Sequence, residues 1–163
     1  MTKLVAAATF GITGELAGFA VYFAHFTGPG HGKGWGSLLF LSGIASASIA
    51  LLLWAPLAGR TPSCFRGVLV GVTIALLAYP ITWYLFSVMN WLQTFGTAEH
   101  EQILSPLTAV PASLLYGALG VFLTGWMTLP IAAATGLGLS LFQTHVYSKA
   151  DTPRPSSEEY PHV

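Results

Sequence analysis

The chain has 163 residues, of which 53% are hydrophobic and 7% are charged, and its formal net charge is zero. Soluble domains carry about 25% charged residues, and so few charges cannot cover a surface that faces water. The composition therefore excludes a soluble globular protein, offers no basic surface for nucleic acid, and indicates a chain surrounded by the lipid bilayer. Cys64 is the single cysteine, which excludes an intrachain disulfide.

Four apolar segments follow one another along the chain, and each is long enough for a transmembrane helix of about 20 residues. They cover residues 4–26, 35–58, 67–95 and 111–142. No stretch alternates apolar and polar residues as a membrane β-strand does. We therefore expect an all-α integral membrane protein with one four-helix transmembrane domain over residues 1–147.

The third and fourth segments are longer than one crossing requires, so we expect tilted helices or ends that project beyond the bilayer. Pro80 and Pro130 lie near their centres and predict kinks, because a proline removes the hydrogen bond to the carbonyl four residues earlier. The first segment follows Lys3 and is interrupted by Glu15. Since it also exceeds the apolar core of a signal peptide, we expect a helix of the mature protein.

The basic residues predict the orientation. With the N-terminus inside, five of them fall on the inner side: Lys3, Arg60, Arg66, Lys149 and Arg154. Only Lys33 falls outside, so the positive-inside rule predicts both termini in the cytoplasm. We expect the plasma (inner) membrane as the location. Residues 148–163 contain three prolines, and we expect them to form a disordered cytoplasmic tail. Trp35, Trp54 and Trp91 lie near segment ends, where an interfacial belt is expected.

A stripe of small residues runs along the first segment. Gly11, Gly14 and Gly18 recur at three- and four-residue spacing, and Gly14 and Gly18 form a GxxxG pair. Small residues at this spacing allow close approach of another helix, so we expect these glycines to pack against one. Because Glu15 borders the stripe, we expect its side chain to point into the bundle rather than toward lipid.

A candidate intramembrane polar site consists of Glu15 and three hydroxyl residues at a similar predicted depth: Ser46, Thr82 and Thr128. No Lys, Arg or His is expected at that depth. An unpaired charge is costly in an apolar medium, so we expect the carboxyl group of Glu15 in its neutral form. Two roles remain open for it: a group that carries a proton or cation, or a hydrogen bond that holds helices together.

Possible metal ligands lie on the predicted outer side, where His25, His31 and His100 could supply nitrogen atoms to zinc or copper. No two of these histidines have the i, i+4 spacing of a helical site, so we predict no metal and no other cofactor. The chain also lacks the G-x-S-x-G, H-E-x-x-H and phosphate-loop patterns. These absences disfavour an enzyme.

Four helices enclose too little volume for an aqueous pathway, so we expect a homo-oligomer or a larger membrane protein complex. Our first expectation for the function is a non-catalytic accessory, regulatory or protective subunit that acts through helix–helix contacts. The alternative is a small homo-oligomeric transporter or channel that uses Glu15 as a proton or cation site. A third possibility is a metal-binding or redox membrane enzyme at the outer face.

Overall fold

The structure is a computed structural model that describes residues 2–26, 35–58, 63–97 and 103–150. These ranges contain four helices and no strands: α1 (Thr2–Phe26), α2 (Trp35–Ala58), α3 (Cys64–Gln93) and α4 (Pro106–Ala150). The all-α prediction is therefore confirmed. Within the described residues, α2, α3 and α4 are long and apolar enough to cross a membrane. Helix α1 has 25 residues, including Lys3 and Glu15. That each of the four helices crosses the membrane stays a prediction.

Helix α4 extends beyond the predicted segment at both ends. At its start, the hydroxyl of Ser105 accepts a hydrogen bond from the backbone N–H of Thr108 at 3.4 Å, as an N-cap residue does. Pro106 takes the first helical position, where no N–H is needed. After Phe142 neither glycine nor proline occurs before Pro153, so no signal in the sequence ends the helix earlier.

The other helix ends are closer to the prediction. Helix α3 begins at Cys64 rather than Gly67 and ends at Gln93. Gly96 follows it with a φ of 82°, a left-handed conformation that glycine adopts without steric cost. Because α4 ends at Ala150, the first residues of the predicted tail are helical, and the remainder of the tail lies outside the described residues.

Prolines lie inside three helices: Pro56 in α2, Pro80 in α3, and Pro111 and Pro130 in α4. Each helix continues through its prolines, so none of them is divided into shorter elements. A proline still leaves the carbonyl four residues earlier without its helical partner. The kinks predicted at Pro80 and Pro130 stay a prediction.

The helices run up and down in chain order and form a ring in which α4 returns to α1. Among neighbours in this ring, α3 and α4 have the most extensive contact, and α1 and α4 have the least extensive. The pairing is antiparallel in both hairpins, as four contacts show: Gly11 with Ala47, Gly18 with Ser42, Gly71 with Ala132, and Gly117 with Pro80.

Glycines allow α3 and α4 to approach closely. Gly67 and Gly71, a GxxxG pair on α3, face Gly136 on α4. A Cβ atom on Gly136 would overlap the carbonyl of Gly67, and a Cβ atom on Gly67 would overlap the hydroxyl of Ser140. Only residues without a side chain permit this helix separation.

The packed core fills the half of the bundle in which α1 and α3 begin. Its largest side chain, Trp54, is 1% exposed and packs against Phe10 with ring centroids 5.8 Å apart. Ile74 of α3 and Leu139 of α4 complete the same cluster. The expectation that Trp54 belongs to an interfacial belt is therefore wrong, because its indole ring packs among the helices.

Large apolar side chains cover the outside of the bundle. Each helix contributes exposed examples: Leu16 on α1, Phe40 on α2, Leu69 on α3 and Phe122 on α4. Soluble monomers rarely expose a contiguous apolar surface of this kind. The surface is compatible with an integral membrane protein whose helices face lipid.

Candidate functional site

The half of the bundle beyond the core contains a cavity of about 350 Å³, which we call the central cavity. Its lining residues lie within positions 10–18 of α1, 38–46 of α2, 74–83 of α3 and 116–132 of α4. Small residues such as Gly14 and Ala17 leave space on α1. Trp83 and Tyr116 line the opposite side, with ring centroids 5.3 Å apart. The volume lies within the range of about 300–1,000 Å³ that is usual for ligand sites.

Three of the four predicted polar-site residues line the central cavity: Ser46, Thr82 and Thr128. Ser46 is buried, at 7% exposure, and lies against Gly14 of α1. Thr82 is half-buried. Glu15 is not among the lining residues, so the described structure divides the predicted site into a hydroxyl part and a separate carboxyl group.

A hydroxyl cluster of Tyr79, Thr124 and Thr128 joins α3 to α4 in the cavity wall. The hydroxyl oxygen of Tyr79 lies 2.8 Å from that of Thr124 and is also hydrogen-bonded to Thr128. Thr124 donates to the carbonyl of Gly120 at 2.8 Å. Its oxygen can then accept from Tyr79, whose oxygen accepts from Thr128, so every proton of the cluster has an acceptor.

The sequence predicted Thr128 as a residue of the polar site but did not indicate Tyr79. A signal was available, because Tyr79 lies in the middle of an apolar segment and next to Pro80. A tyrosine hydroxyl in such a place usually finds a hydrogen-bond partner. The partners could not be named from the sequence, since they belong to another helix.

The lining of the central cavity is uncharged. It contains no Lys, Arg, His, Asp or Glu among the described residues, and most of its surface is aliphatic or aromatic. Ser42 adds a hydroxyl that donates to the carbonyl of Leu39 at 2.7 Å and lies 3.2 Å from the carbonyl of Gly14 on α1. The cavity is therefore suited to neutral, mainly apolar molecules.

Glu15 lies on the outer surface of the α1–α2 pair, and its side chain is exposed. Its methylene groups pack against Gly43 of α2, where a Cβ atom would overlap the Cγ atom of Glu15. Together with four apolar residues it lines a shallow outer groove: Glu15, Leu16, Phe19, Leu39 and Phe40. The expectation that Glu15 points into the bundle is therefore wrong.

The position of the glycine stripe explains this outcome. Gly11, Gly14 and Gly18 all lie against α2 in the structure. Consecutive side chains of a helix point in directions that differ by about 100° around the helix axis. Glu15 follows Gly14 directly, so it lies at the outer edge of the contact between α1 and α2. Glu15 borders the stripe, as the sequence indicates, but on the side that faces away from α3 and α4.

The described residues provide no basic partner for Glu15 at its depth. Lys3 lies twelve residues earlier in α1, about 18 Å away along the helix axis. Arg66 and His145 lie at the same end of the bundle as Lys3, since α3 begins and α4 ends there. The carboxyl group of Glu15 is thus surrounded mainly by apolar side chains.

The side chains of the three histidines considered as metal ligands cannot be located in the described part of the structure. His31 and His100 lie outside the described residues, and so does the side chain of His25. In the parts of the chain that are described, no three His, Cys, Asp or Glu residues come together.

Comparisons with protein-family models, with curated proteins and with solved structures give no match. The central cavity and the outer groove are therefore the two features from which a function can be argued.

Proposed function

We propose that this protein is a non-catalytic subunit of a membrane complex, which it joins through the outer groove of α1 and α2. In this proposal the chain crosses the plasma (inner) membrane four times, with both termini in the cytoplasm. Support for this orientation comes from Lys3 and Arg66, which lie at the same end of the bundle. The positive-inside rule assigns that end to the cytoplasm.

The outward position of Glu15 is the observation that carries the proposal. Acidic residues in transmembrane helices are rare, and they almost always face protein or a water-filled cavity. Facing acyl chains, the carboxyl group would lose its hydrogen bonds to water without replacement, which is costly even for the neutral acid. A protein surface that covers the groove removes this cost when it supplies a hydrogen-bond partner.

The chemistry of the groove defines the partner. Exposed Phe19 and Phe40 flank Glu15 with apolar surface, which suits one transmembrane helix of the partner. This helix would carry a donor opposite Glu15, such as Asn, Gln, Lys or Arg. The described part of this chain offers none of these four residue types at that depth, so a second copy could oppose Glu15 only with a hydroxyl group or with its own Glu15. We therefore assign the groove to a different membrane protein.

The test is extraction into native lipid particles, followed by mass determination of the co-purified proteins. The variants Glu15→Leu and Phe40→Ala should each reduce the recovered partner, because one removes the hydrogen bond and the other removes apolar contact. An interhelical hydrogen bond is worth about 1–2 kcal/mol, which corresponds to a loss of about 5- to 30-fold. Phe122→Ala is the matched control, since Phe122 is an exposed phenylalanine on α4.

A second protein in fixed ratio that is lost with Glu15→Leu and kept with Phe122→Ala supports the proposal. Recovery of one species only, as a homo-oligomer, would instead favour the transporter alternative. Proton-coupled uptake that is lost in Glu15→Gln would then identify the carboxyl group as its carrier site. A partner that is retained equally by all variants contradicts the assignment of the groove.

A further inference from the structure

We infer that the central cavity binds an uncharged, lipid-soluble molecule with a hydrogen-bonding oxygen, which enters from the bilayer between α1 and α4. This inference concerns the inside of the bundle and does not depend on the partner proposed for the outer groove. It rests on the charge and size of the cavity, on the side from which it is accessible, and on the hydroxyl groups in its wall.

The lining of the cavity selects a neutral and compact ligand. A charged head group would find no counter-charge among the lining residues and would lose its hydration. An apolar cavity of about 150 Å³ holds one benzene molecule. The central cavity, at about 350 Å³, therefore has room for a molecule about twice that size, such as a two-ring compound or a medium-length chain.

The cavity is accessible from the side of the bundle. Four of its lining residues are exposed, and all four belong to α4: Tyr116, Leu119, Leu123 and Ile131. The lining residues of α1, α2 and α3 are buried or half-buried. Of the two helices that flank α4 in the ring, α1 has much the smaller contact with it, so the open side lies between α1 and α4. This side faces lipid in a membrane-spanning bundle, so the ligand is a molecule that dissolves in the bilayer.

The hydroxyl groups of the wall determine the polar end of the ligand. The protons of the hydroxyl cluster are directed to acceptors within the protein, as described above. Ser46 and Thr82 differ, because no hydrogen bond in the described structure involves their side chains. Ser46 is more than nine-tenths buried and lines the cavity, so a molecule in the cavity can reach its hydroxyl. A carbonyl or hydroxyl oxygen on the ligand fits this position.

Binding can be measured by quenching of tryptophan fluorescence, because Trp83 lines the cavity. The probe is bromododecanol, an alcohol whose bromine quenches tryptophan on contact, added to the protein in lipid nanodiscs. We expect a saturable component of quenching that is lost in Trp83→Phe. Trp126 is exposed on the lipid-facing side of α4, so Trp126→Phe should keep that component and lose only quenching that increases linearly with the probe.

Two further variants locate the site. Ala17→Phe places a ring in the cavity from α1 and should abolish the saturable component. Ala8→Phe is its control on the exposed side of the same helix and should leave binding unchanged. Thr82→Val keeps the shape of the side chain and removes its hydroxyl. It should weaken binding of the alcohol about fivefold, the equivalent of one hydrogen bond, and leave binding of bromododecane unchanged.

These outcomes decide the inference even if Ala17→Phe fails to fold, because Thr82→Val and Trp83→Phe give independent results. Saturable quenching through Trp83, with weaker binding of the alcohol to Thr82→Val, supports it. Quenching that rises linearly in every variant overturns it, since the probe would then behave as bulk lipid. Equal affinity for bromododecanol and bromododecane overturns the assignment of the hydroxyl groups as the polar end of the site.

Discussion

Gly117 is the position at which the contact between α3 and α4 can be tested most directly. A Cβ atom on this residue would lie 2.8 Å from the backbone nitrogen of Pro80 and 2.9 Å from its Cα atom. Neither atom belongs to a flexible side chain that could move aside. Since non-bonded carbon atoms are best separated by about 3.5–4.0 Å, the helices would have to move apart by about 0.6–1.1 Å at the Cα atom of Pro80 in Gly117→Ala.

The expected loss of stability in Gly117→Ala is best measured against Gly138→Ala, a control variant in the same helix. A Cβ atom on Gly138 has no neighbour within 4 Å. Both variants gain the same helix propensity, about 1 kcal/mol, so this gain cancels when the two are compared. The difference between them is the overpacking at Pro80, about 1–3 kcal/mol. For a chain of this size it lowers the melting temperature by about 2–12 °C.

The assay is thermal unfolding of the purified variants in one detergent and at one scan rate, because unfolding of membrane proteins is often irreversible. We expect Gly138→Ala to unfold at or slightly above the temperature of the unmodified chain, and Gly117→Ala to unfold about 2–12 °C below Gly138→Ala. Equal melting temperatures for the two variants would refute the close packing of Gly117 on Pro80. The antiparallel register of α3 and α4 would then need revision.

The hydroxyl cluster of Tyr79, Thr124 and Thr128 can be tested by one variant, and the orientation of the bundle by the reactivity of the single cysteine. Tyr79→Phe removes the hydroxyl that links Thr124 and Thr128, both of which keep backbone acceptors, so it should destabilise the protein by about 0.6–1.7 kcal/mol in the same assay. An unchanged melting temperature would mean that the cluster is not formed. Cys64, exposed at the start of α3, should react with a membrane-impermeant maleimide only after intact cells are opened, because that end of the bundle is predicted to be cytoplasmic. Rapid labelling of intact cells would reverse the predicted orientation.

The helices of this protein and their apolar character could be predicted from the sequence, because both depend on local properties. A run of about 20 apolar residues satisfies its own backbone hydrogen bonds as a helix, whatever its neighbours are. The four predicted segments accordingly correspond to α1–α4. The sequence also predicted a similar depth in the bundle for Ser46, Thr82 and Thr128, and all three line the central cavity. The start of α4 was missed, although Ser105 and Pro106 form a recognisable N-terminal signal.

The tertiary structure alone decided which side of each helix meets which neighbour. A glycine stripe indicates that some helix packs there, and Gly67 and Gly71 have the same spacing as Gly14 and Gly18. Neither pair specifies its partner, because in an apolar sequence lipid and protein attract the same side chains. For this reason Glu15 could be located beside a contact but not assigned to its outer edge. The central cavity arises in the same way, from four separate segments whose small and aromatic residues meet only when the bundle closes.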